Sequence, residues 1–370
     1  MRIAMVTSWN CACGVAEYSA YFMEAARQAH PGLDFVVIGP IGGGPNTGPY
    51  PVHRAWRYEE TAHDDLLNLI ESLRPDVVHV QYQRSFFSND GLSSLLRGLD
   101  RMAIPCVITF HTTSPAPDGR SLESISQDLR LPRALLVHSH ADQQRFASWG
   151  ISSTVRILPH GNIEFADEDA AAVRAALGIQ GFGPVVASFG FLQPHKGVRE
   201  TIQAVDLLKG EYPRMLYLAL GGVQANHESH AYRVECIELA KRLGLERRAL
   251  ILGRFLTVSE VVVALHAADL VVLPYRSTGE SASGAIRFAL SARRPVLATA
   301  EGIFDDVAAC VHRISEPRPD LIAEAIREVL GDAHLRSTLV EAAAVHVSAT
   351  SWGAVARQYA AILQEIGLLG

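Results

Sequence analysis

Residues 185–208 of the chain read VVASFGFLQPHKGVRETIQAVDLL, in which an apolar run, a polar loop and an amphipathic run follow one another. The apolar run at 185–189 is typical of a strand that is buried on both faces of a sheet. Residues 198–208 carry their apolar positions at a helical spacing. The stretch therefore predicts a strand, a loop and a helix, which together form the repeating unit of a parallel sheet covered by helices.

The same alternation continues along the whole sequence. Apolar runs that predict strands lie at residues 2–7, 34–38, 77–80, 106–110, 134–138 and 155–158, and again at 185–189, 215–220, 249–252, 270–273, 296–299 and 310–314. Amphipathic stretches lie between most of them, and the last one spans residues 353–368. We therefore predict an α/β fold with two doubly wound, Rossmann-like domains that face a cleft, each with about six strands.

Proline and glycine interrupt both patterns near the middle of the chain. They lie in the segment Leu158-Pro159-His160-Gly161-Asn162, which marks a domain boundary. We predict a first domain over residues 1–163, a second over 164–351 and a C-terminal helix over 352–370. The length of 370 residues agrees with two domains, because a domain usually has about 100–200 residues.

The composition excludes several classes of protein. With 48% hydrophobic residues and a formal charge of −6, the chain is neither typical of disorder nor as basic as most nucleic-acid binders. No apolar run reaches the ~20 residues of a membrane helix, and the N-terminal residues lack the pattern of a secretory signal. We therefore expect a cytoplasmic protein, while peripheral membrane contact and the oligomeric state stay open.

Neither the cysteines nor the acidic residues form a metal-binding pattern. The five cysteines include Cys11 and Cys13, but no spacing is typical of a disulfide framework or a zinc site, so we interpret them as reduced thiols. Asp167 and Asp169 match an Asp-x-Asp pattern, yet they lie in the connection between the domains and not in a loop after a strand. We interpret this segment as a solvated acidic loop and expect no metal ion.

Function is expected in the loops that follow the strands, because ligands of open parallel sheets bind at the carboxyl ends of the strands. Gly14, in the loop after the first strand, is the only glycine between Met1 and Met23, so this loop is not a dinucleotide-binding fingerprint. Gly14 is either an ordinary turn glycine or a point where the backbone approaches a ligand. His111 follows the strand at 106–110 and is either structural or directed into the cleft.

Lys196 is unusual in its predicted position at the start of a helix. A positive charge there opposes the helix dipole, and an anion bound between Lys196 and the helix N–H groups would remove the conflict. Gly190 ends the preceding strand, and Gly221 and Gly222 follow the next one, so the backbone can approach a ligand closely at both places. These features predict a diphosphate site without a P-loop consensus.

A second loop of similar design follows the strand at 270–273. It contains Glu280, whose carboxylate suits sugar hydroxyls, and the small residues Ser281, Ser283 and Gly284, whose N–H groups are accessible to a ligand. A single glutamate in a loop is also commonly just a solvated charge. The repetition of the design in one sheet favours the functional interpretation.

At these positions the sequence resembles the GT-B glycosyltransferases, specifically the large retaining family 4. The similarity covers nearly the whole chain and is strongest from residue 190 to residue 296. The motifs that carry it include Gly190-x-Leu192-x-x-x-Lys196-Gly197, Leu220-Gly221-Gly222, Leu252-Gly253-Arg254, the segment 268–274, Glu280 with its serine-glycine loop, and Arg294-Pro295-Val296. Gly14, the segment 109–112 and Pro159-His160-Gly161 also fit the family.

The resemblance implies a function for each domain. The second domain would bind a nucleotide sugar, and the first would bind a glycan, glycolipid or small-molecule acceptor. Such enzymes usually retain the anomeric configuration and need no metal or other cofactor. The C-terminal helix would return to pack on the first domain.

The resemblance also implies roles for individual residues. Lys196 would hold the donor diphosphate, Glu280 would accept hydrogen bonds from the donor sugar, and His111 would lie at the reaction centre. The remaining donor-binding positions would be Gly14, Gly190, Gly221, Gly222, Gly253, Arg254, Ser281, Ser283 and Gly284.

The sequence departs from the family at three positions. Phe191 replaces an arginine of the diphosphate loop, Phe288 replaces a glutamate that binds ribose, and Arg293 replaces a glycine. Phenylalanine supplies neither charge nor hydrogen bonds, so Arg276 and Arg287 are candidate substitutes. These departures leave open an alternative, a nucleotide-sugar-binding module that has lost transfer activity and acts as a partner or scaffold.

Overall fold

The computed structural model describes residues 1–116, 118–166, 168–224, 227–277 and 279–370. The chain divides into two compact units. The first unit comprises Met1–Gly161, Gly279–Ala282 and Thr350–Gly370, and the second comprises Asn162–Thr278 and Ser283–Ala349. The short segment Gly279–Ala282, which carries Glu280, therefore groups with the first unit although it follows a strand of the second.

The described residues of the first unit form a seven-stranded sheet in which every pair of neighbouring strands is parallel. The strands are β1 (Arg2–Val6), β2 (Asp34–Pro40), β3 (Val52–Trp56), β4 (Val77–Tyr82), β5 (Cys106–Phe110), β6 (Ala134–Val137) and β7 (Val155–Ile157). Their order is β3-β2-β1-β4-β5-β6-β7. The direction of winding therefore reverses between β1 and β4, and the loops after these strands lie where such sheets bind ligands.

The helices of the first unit are amphipathic, and three of the five begin at a capping serine. They are α1 (Gly14–Ala29), α2 (Asp64–Leu73), α3 (Asn89–Arg101), α4 (His140–Ser148) and the last helix of the chain, α12 (Trp352–Glu365). Ser88 caps α3 and Ser139 caps α4, each accepting a hydrogen bond from a backbone N–H in the first turn. The helix α12 packs on α1, with the ring centroids of Phe22 and Tyr359 only 4.8 Å apart.

The second unit repeats this architecture over its described residues, with a six-stranded parallel sheet. Its strands are β8 (Val185–Phe189), β9 (Leu216–Leu220), β10 (Ala249–Ile251), β11 (Leu270–Leu273), β12 (Val296–Thr299) and β13 (His312–Ile314), in the order β10-β9-β8-β11-β12-β13. Its helices are α5 (Ala170–Ala176), α6 (Val198–Leu208), α7 (His227–Arg242), α8 (Val258–His266), α9 (Gly284–Ser291), α10 (Pro319–Gly331) and α11 (Ala333–Ala349). The winding reverses between β8 and β11, so the Lys196 loop and the Glu280 loop follow the two strands at the reversal.

The strands are buried because helices cover both faces of each sheet, as the near-continuous apolar runs predict. Each fully buried large aliphatic or aromatic side chain contributes about 1.5–3 kcal/mol relative to exposure. Within the described part of the chain, no helix combines the length and apolar character that crossing a membrane requires.

Candidate active site

Lys196 lies in a tight turn immediately before α6. Residues Pro194–Lys196 form a 3₁₀ turn, and Gly197 follows with φ of 71° before the helix begins at Val198. A Cβ atom at Gly197 would lie 2.4 Å from the carbonyl oxygen of Pro274, so this position requires glycine. The sequence placed Lys196 at the helix start, and the structure places it in the turn that precedes the helix.

The Lys196 side chain is half-buried, with its Nζ atom 3.9 Å from the centroid of the Tyr275 ring. This cation–π contact holds the ammonium group at the carboxyl end of the sheet. The backbone N–H of Arg276 donates to the carbonyl of His195 at 2.8 Å, which joins the loops after β8 and β11. The positive charge is therefore fixed beside the end of β11.

A small pocket lies beside Lys196 in the second unit. Its lining in the described part of the chain consists of Ser188, Phe189, Gly190, Phe191, Leu192, Lys196, Val198, Ala219, Leu220 and Tyr275, of which only Lys196 carries a formal charge. Two positions next to this pocket require glycine. Gly190 has φ of 129°, a conformation that other residues rarely adopt, and a Cβ atom at Gly221 would lie 1.8 Å from the carbonyl oxygen of Gly190. The pocket thus combines one cation with closely packed backbone, which suits an anion.

The residues expected near the nucleobase lie on the adjoining loop after β10. A Cβ at Gly253 would lie 2.0 Å from Nε of Arg233, and Arg254 is exposed and paired with Glu260 at 2.7 Å. The next residue, Phe255, is 51% exposed, and its ring centroid lies 6.1 Å from that of Phe191. Phe191, which departs from the family pattern, therefore forms an aromatic pair with Phe255 that was not predicted from the sequence.

The Glu280 segment is anchored in the first unit. The Ser281 backbone N–H donates to the carbonyl of His111 at 3.0 Å, and the Ser281 hydroxyl donates to Oδ1 of Asp142 at 2.9 Å. The first of these bonds joins the backbone of the residue after Glu280 to the backbone of His111. Ser283 instead caps α9 by accepting from the N–H of Ile286, and Gly284 is the first residue of that helix.

Asp142 connects several parts of this region. Its carboxylate is buried and accepts hydrogen bonds from Thr113, from Ser139 at 2.6 Å and from Ser281. Asp142 was not predicted from the sequence to be a functional residue. The sequence feature that could have indicated a role for it is its position in the first turn of a helix that follows a strand, at the carboxyl edge of the sheet.

His111 is surrounded by other aromatic and imidazole rings. Its Nε2 lies 2.8 Å from Oε1 of Gln81, and its Nδ1 lies 3.3 Å from Nε2 of His138. The ring of Tyr18 packs edge-on at 4.7 Å. Burial, followed by the neighbouring histidines, lowers the pKa of His111 well below its usual range, so the imidazole is neutral near pH 7.

Gly14 begins α1, and a Cβ atom placed on it would have no neighbour within 4 Å among the described residues. Packing within the unit therefore does not require a glycine here. The open space leaves room for a ligand next to the backbone, and the role of Gly14 as a donor-binding residue stays a prediction.

The two arginines considered as substitutes are already engaged. Arg287 is 2% exposed, pairs with Asp306 and contacts Nε2 of His346 at 3.0 Å, so it belongs to the interior of the second unit. Arg276 pairs with the buried Glu200 at 2.9 Å. The expectation that Arg287 replaces the missing ribose contact is therefore wrong, because its guanidinium points inward.

Phe288 also packs against other rings. It lies on the second turn of α9, with its ring centroid 5.2 Å from that of Phe189 and 6.1 Å from that of Phe165. Hydrophobic packing thus occupies the position at which the family has a carboxylate.

The acidic pattern at residues 167–169 is partly described. Asp169 caps α5 by accepting from the N–H of Ala171, and Asp167 lies outside the described residues. Within the described residues, no group of three or more histidine, cysteine, aspartate or glutamate side chains is arranged to hold a metal ion.

Two family descriptions match consecutive parts of the chain. Glycosyltransferase Family 4 matches residues 19–162, and Glycosyl transferases group 1 matches residues 169–346. The D-inositol 3-phosphate glycosyltransferase of Corynebacterium aurimucosum is 33% identical over 313 residues, which span 76% of this chain and 70% of the relative. The chain belongs to glycosyltransferase family 4.

Further similarities agree with this assignment. The D-inositol 3-phosphate glycosyltransferase of Corynebacterium glutamicum is 28% identical over 326 residues, covering 80% of this chain and 73% of the relative. HepE of Anabaena, solved in complex with UDP-glucose, has a TM-score of 0.75 at 17% identity and covers 99% of this chain and 100% of its own. The family 4 protein therefore has the predicted GT-B fold and is a glycosyltransferase, and the alternative of an inactive binding module is not favoured.

Proposed function

We propose that this family 4 enzyme transfers a sugar from a nucleotide-sugar donor to an acceptor with retention of configuration and without a metal ion. The observation that carries the proposal is the pair of loops at the ends of β8 and β11. One presents Lys196 in a glycine-rich pocket, and the other presents Glu280. A cation for the leaving diphosphate and a carboxylate for sugar hydroxyls are what such a transfer needs.

Lys196 supports the departure of the nucleoside diphosphate. Negative charge develops on the leaving phosphate in the transition state, and a fixed cation stabilises it more than it stabilises the ground state. The contact with Tyr275 holds the ammonium group in place before the donor binds. Gly190, Gly221 and Gly222 keep side-chain atoms away from the pocket, so backbone groups can contact the phosphates.

Glu280 and His111 have complementary roles in this proposal. The Glu280 carboxylate accepts hydrogen bonds from donor hydroxyls and fixes the orientation of the sugar. His111 is neutral and hydrogen-bonds a sugar or acceptor hydroxyl. In a retaining transfer the acceptor attacks from the face from which the diphosphate departs, and the leaving phosphate oxygen takes the acceptor proton.

We assign the acceptor to a polar pocket of the first unit. Its lining residues include Arg84 and Arg120 together with Tyr82, Thr112 and Ser114. Guanidinium groups bind phosphate well, and the relatives named above are D-inositol 3-phosphate glycosyltransferases. Among the glycan, glycolipid and small-molecule acceptors expected from the sequence, we therefore place a small phosphorylated polyol first.

The donor base is assigned to the loop after β10. Gly253 and Arg254 border this region, and the Phe191–Phe255 pair offers a partly exposed apolar surface on which a nucleobase can stack. Stacking would substitute in part for the charged contact that the family obtains from arginine at position 191.

The experiment is a transfer assay with labelled sugar nucleotides and a panel of acceptors that includes inositol phosphates, run with EDTA. We expect transfer by the wild type and a loss of at least ~10²-fold in kcat/KM for Lys196→Ala, the scale of removing one group that stabilises charge. Glu280→Gln should also lose activity, although the glutamine side chain has nearly the same size and shape as glutamate. Lys209→Ala is the matched control, because Lys209 is an exposed lysine paired with Asp206. Wild-type activity in Lys196→Ala would refute the assignment.

A further inference from the structure

Cys11 and Cys13 form a pair of thiols in the loop between β1 and α1. The backbone N–H of Cys13 donates to the carbonyl oxygen of Cys11 at 2.8 Å, which closes a γ-turn around Ala12. The side chain of Cys11 donates to that of Cys13, so the two sulfur atoms are neighbours. Both thiols are free and partly exposed. A disulfide requires neighbouring Cα atoms and converging side chains, and this turn supplies both.

Cys13 is the more reactive member of the pair. It is the N-cap residue of α1, and the Ser8 hydroxyl donates to its Sγ atom at 3.5 Å. The hydrogen bond from Cys11, followed by those from Ser8 and from two N–H groups in the first turn of α1, lowers the pKa of Cys13 to about 6 against the opposing effect of burial. The thiolate is the attacking species in thiol–disulfide exchange, so Cys13 is poised to react near pH 7.

Charged and titratable groups from two elements face the pair. The positive charge of Arg54, on β3, opposes the rise in the pKa of Cys11 that the hydrogen bond to Cys13 and burial produce. Burial, followed by the charge of Cys13, raises the pKa of Glu17 on α1. Burial, followed by the two cysteines, raises the pKa of Tyr58 to about 12. Cys11 therefore keeps its proton near pH 7 while Cys13 loses its own.

The remaining cysteines lie in a different environment. Cys106, Cys236 and Cys310 are buried, and burial raises the pKa of each. A neutral thiol buried in apolar surroundings is inert. Beside Cys13 the surface is open, because a Cβ atom placed on the adjoining Gly14 would have no neighbour within 4 Å among the described residues. Oxidation is therefore expected at the exposed pair.

We propose that Cys11 and Cys13 form a reversible disulfide when the protein meets a low-molecular-weight disulfide such as oxidised glutathione. The Cys13 thiolate attacks one sulfur atom of the reagent, which forms a mixed disulfide and releases one thiolate. That thiolate takes the proton of Cys11. The Cys11 thiolate then attacks Sγ of Cys13 and releases the second thiolate, which takes a proton from water. The pair loses two electrons, and the reagent is reduced to two thiols.

Mass spectrometry of the full chain after incubation with oxidised glutathione and acid quenching tests the pairing. We expect the wild type to lose the mass of two hydrogen atoms, to carry no glutathione, to show a Cys11–Cys13 link in peptide maps and to regain its mass with dithiothreitol. Cys11→Ser should instead keep a glutathione on Cys13. Cys310→Ser is the matched control and should behave as the wild type, because Cys310 is a buried thiol that contacts the carbonyl of Ala342.

The pH dependence of the first step tests the attacking role of Cys13. We expect the rate at which the wild type is oxidised to change little between pH 7 and pH 9, because Cys13 is already a thiolate there. Cys11→Ser keeps a hydroxyl donor and should retain this plateau. Cys11→Ala has no donor, so its rate should keep rising over the same interval.

The wild-type peptide map decides the proposal even where a variant fails to fold. A wild type that stays reduced, that retains glutathione on Cys13 or that links either cysteine to another partner would overturn it. Loss of two hydrogen atoms in Cys11→Ser would also overturn it, because another cysteine would then be the partner. A wild-type rate that rises steeply from pH 7 to pH 9 would contradict the attack by a preformed Cys13 thiolate. None of these readouts depends on transfer activity.

Discussion

Replacing His79 with glutamine should remove a defined part of the pH dependence of stability in the first unit. His79 is completely buried on β4, where Nδ1 lies 3.0 Å from the hydroxyl of Tyr359 and Nε2 lies 2.8 Å from that of Thr109. Burial lowers the pKa of His79 from 6.5 to about 3. Between these two pKa values the folded state therefore binds fewer protons than the unfolded state. The contribution of neutral His79 to the free energy of unfolding is fully present above pH 6.5 and is lost as the pH falls from 6.5 toward 3.

The size of the effect follows from the difference between the two pKa values. Between pH 6.5 and pH 3 each pH unit costs about 1.4 kcal/mol for one such histidine. Lowering the pH from 7 to 5 should therefore reduce the free energy of unfolding by about 2 kcal/mol through His79 alone. Other buried histidines act in the wild type and in His79→Gln alike, so the difference between the two proteins isolates His79.

Tryptophan fluorescence during urea titration measures the free energy of unfolding of the first unit. All four tryptophans, Trp9, Trp56, Trp149 and Trp352, belong to the first unit. His140→Gln is the matched control, because His140 is an exposed histidine of the same unit. We expect the fall in stability from pH 7 to pH 5 to be smaller in His79→Gln than in the wild type and His140→Gln. Equal falls in all three proteins would refute the assignment of a buried neutral His79.

Three further predictions concern other parts of the molecule. Ser281→Ala removes the hydrogen bond to Asp142 and should lower kcat/KM about fivefold, the equivalent of about 1 kcal/mol; an unchanged value in the transfer assay would show that the tether is dispensable. The Cys11 side chain donates to Cys13 and lowers the pKa of Cys13 to about 6, while the pKa of Cys11 rises. Iodoacetamide at pH 7 should therefore label Cys13 before Cys11 in tandem mass spectra, and equal labelling would contradict this. Arg293 is exposed with φ of 53°, so Arg293→Gly should raise the free energy of unfolding by up to about 1 kcal/mol in urea titrations followed by circular dichroism.

The strands at the centre of each sheet could be predicted from the sequence because they are buried on both faces. The runs at residues 106–110 and 185–189 match β5 and β8 in full. The strand β3 was missed because it lies at the edge of its sheet, with Val52, His53 and Arg54 only partly buried, so its sequence has no continuous apolar run.

The site was predicted in part for a different reason. Residues that follow strands, such as Lys196 and His111, are found by their position after an apolar run. Asp142 and His138 owe their roles to contacts between distant segments. For example, Ser281 bonds to Asp142 across a separation of 139 residues in the sequence. No local sequence pattern encodes such contacts. Arg293 shows the opposite case, because the backbone keeps the left-handed conformation that suits the family's glycine although the side chain has changed.

The anomeric configuration of the transfer product tests the central proposal most directly. The enzyme would be incubated with an α-linked nucleotide sugar, an acceptor and EDTA, and the anomeric configuration of the product would be determined by proton NMR. The proposal predicts an α-linked product that forms without added metal and is lost in Lys196→Ala. A β-linked product, or transfer that begins only when Mn²⁺ or Mg²⁺ is added, would contradict it.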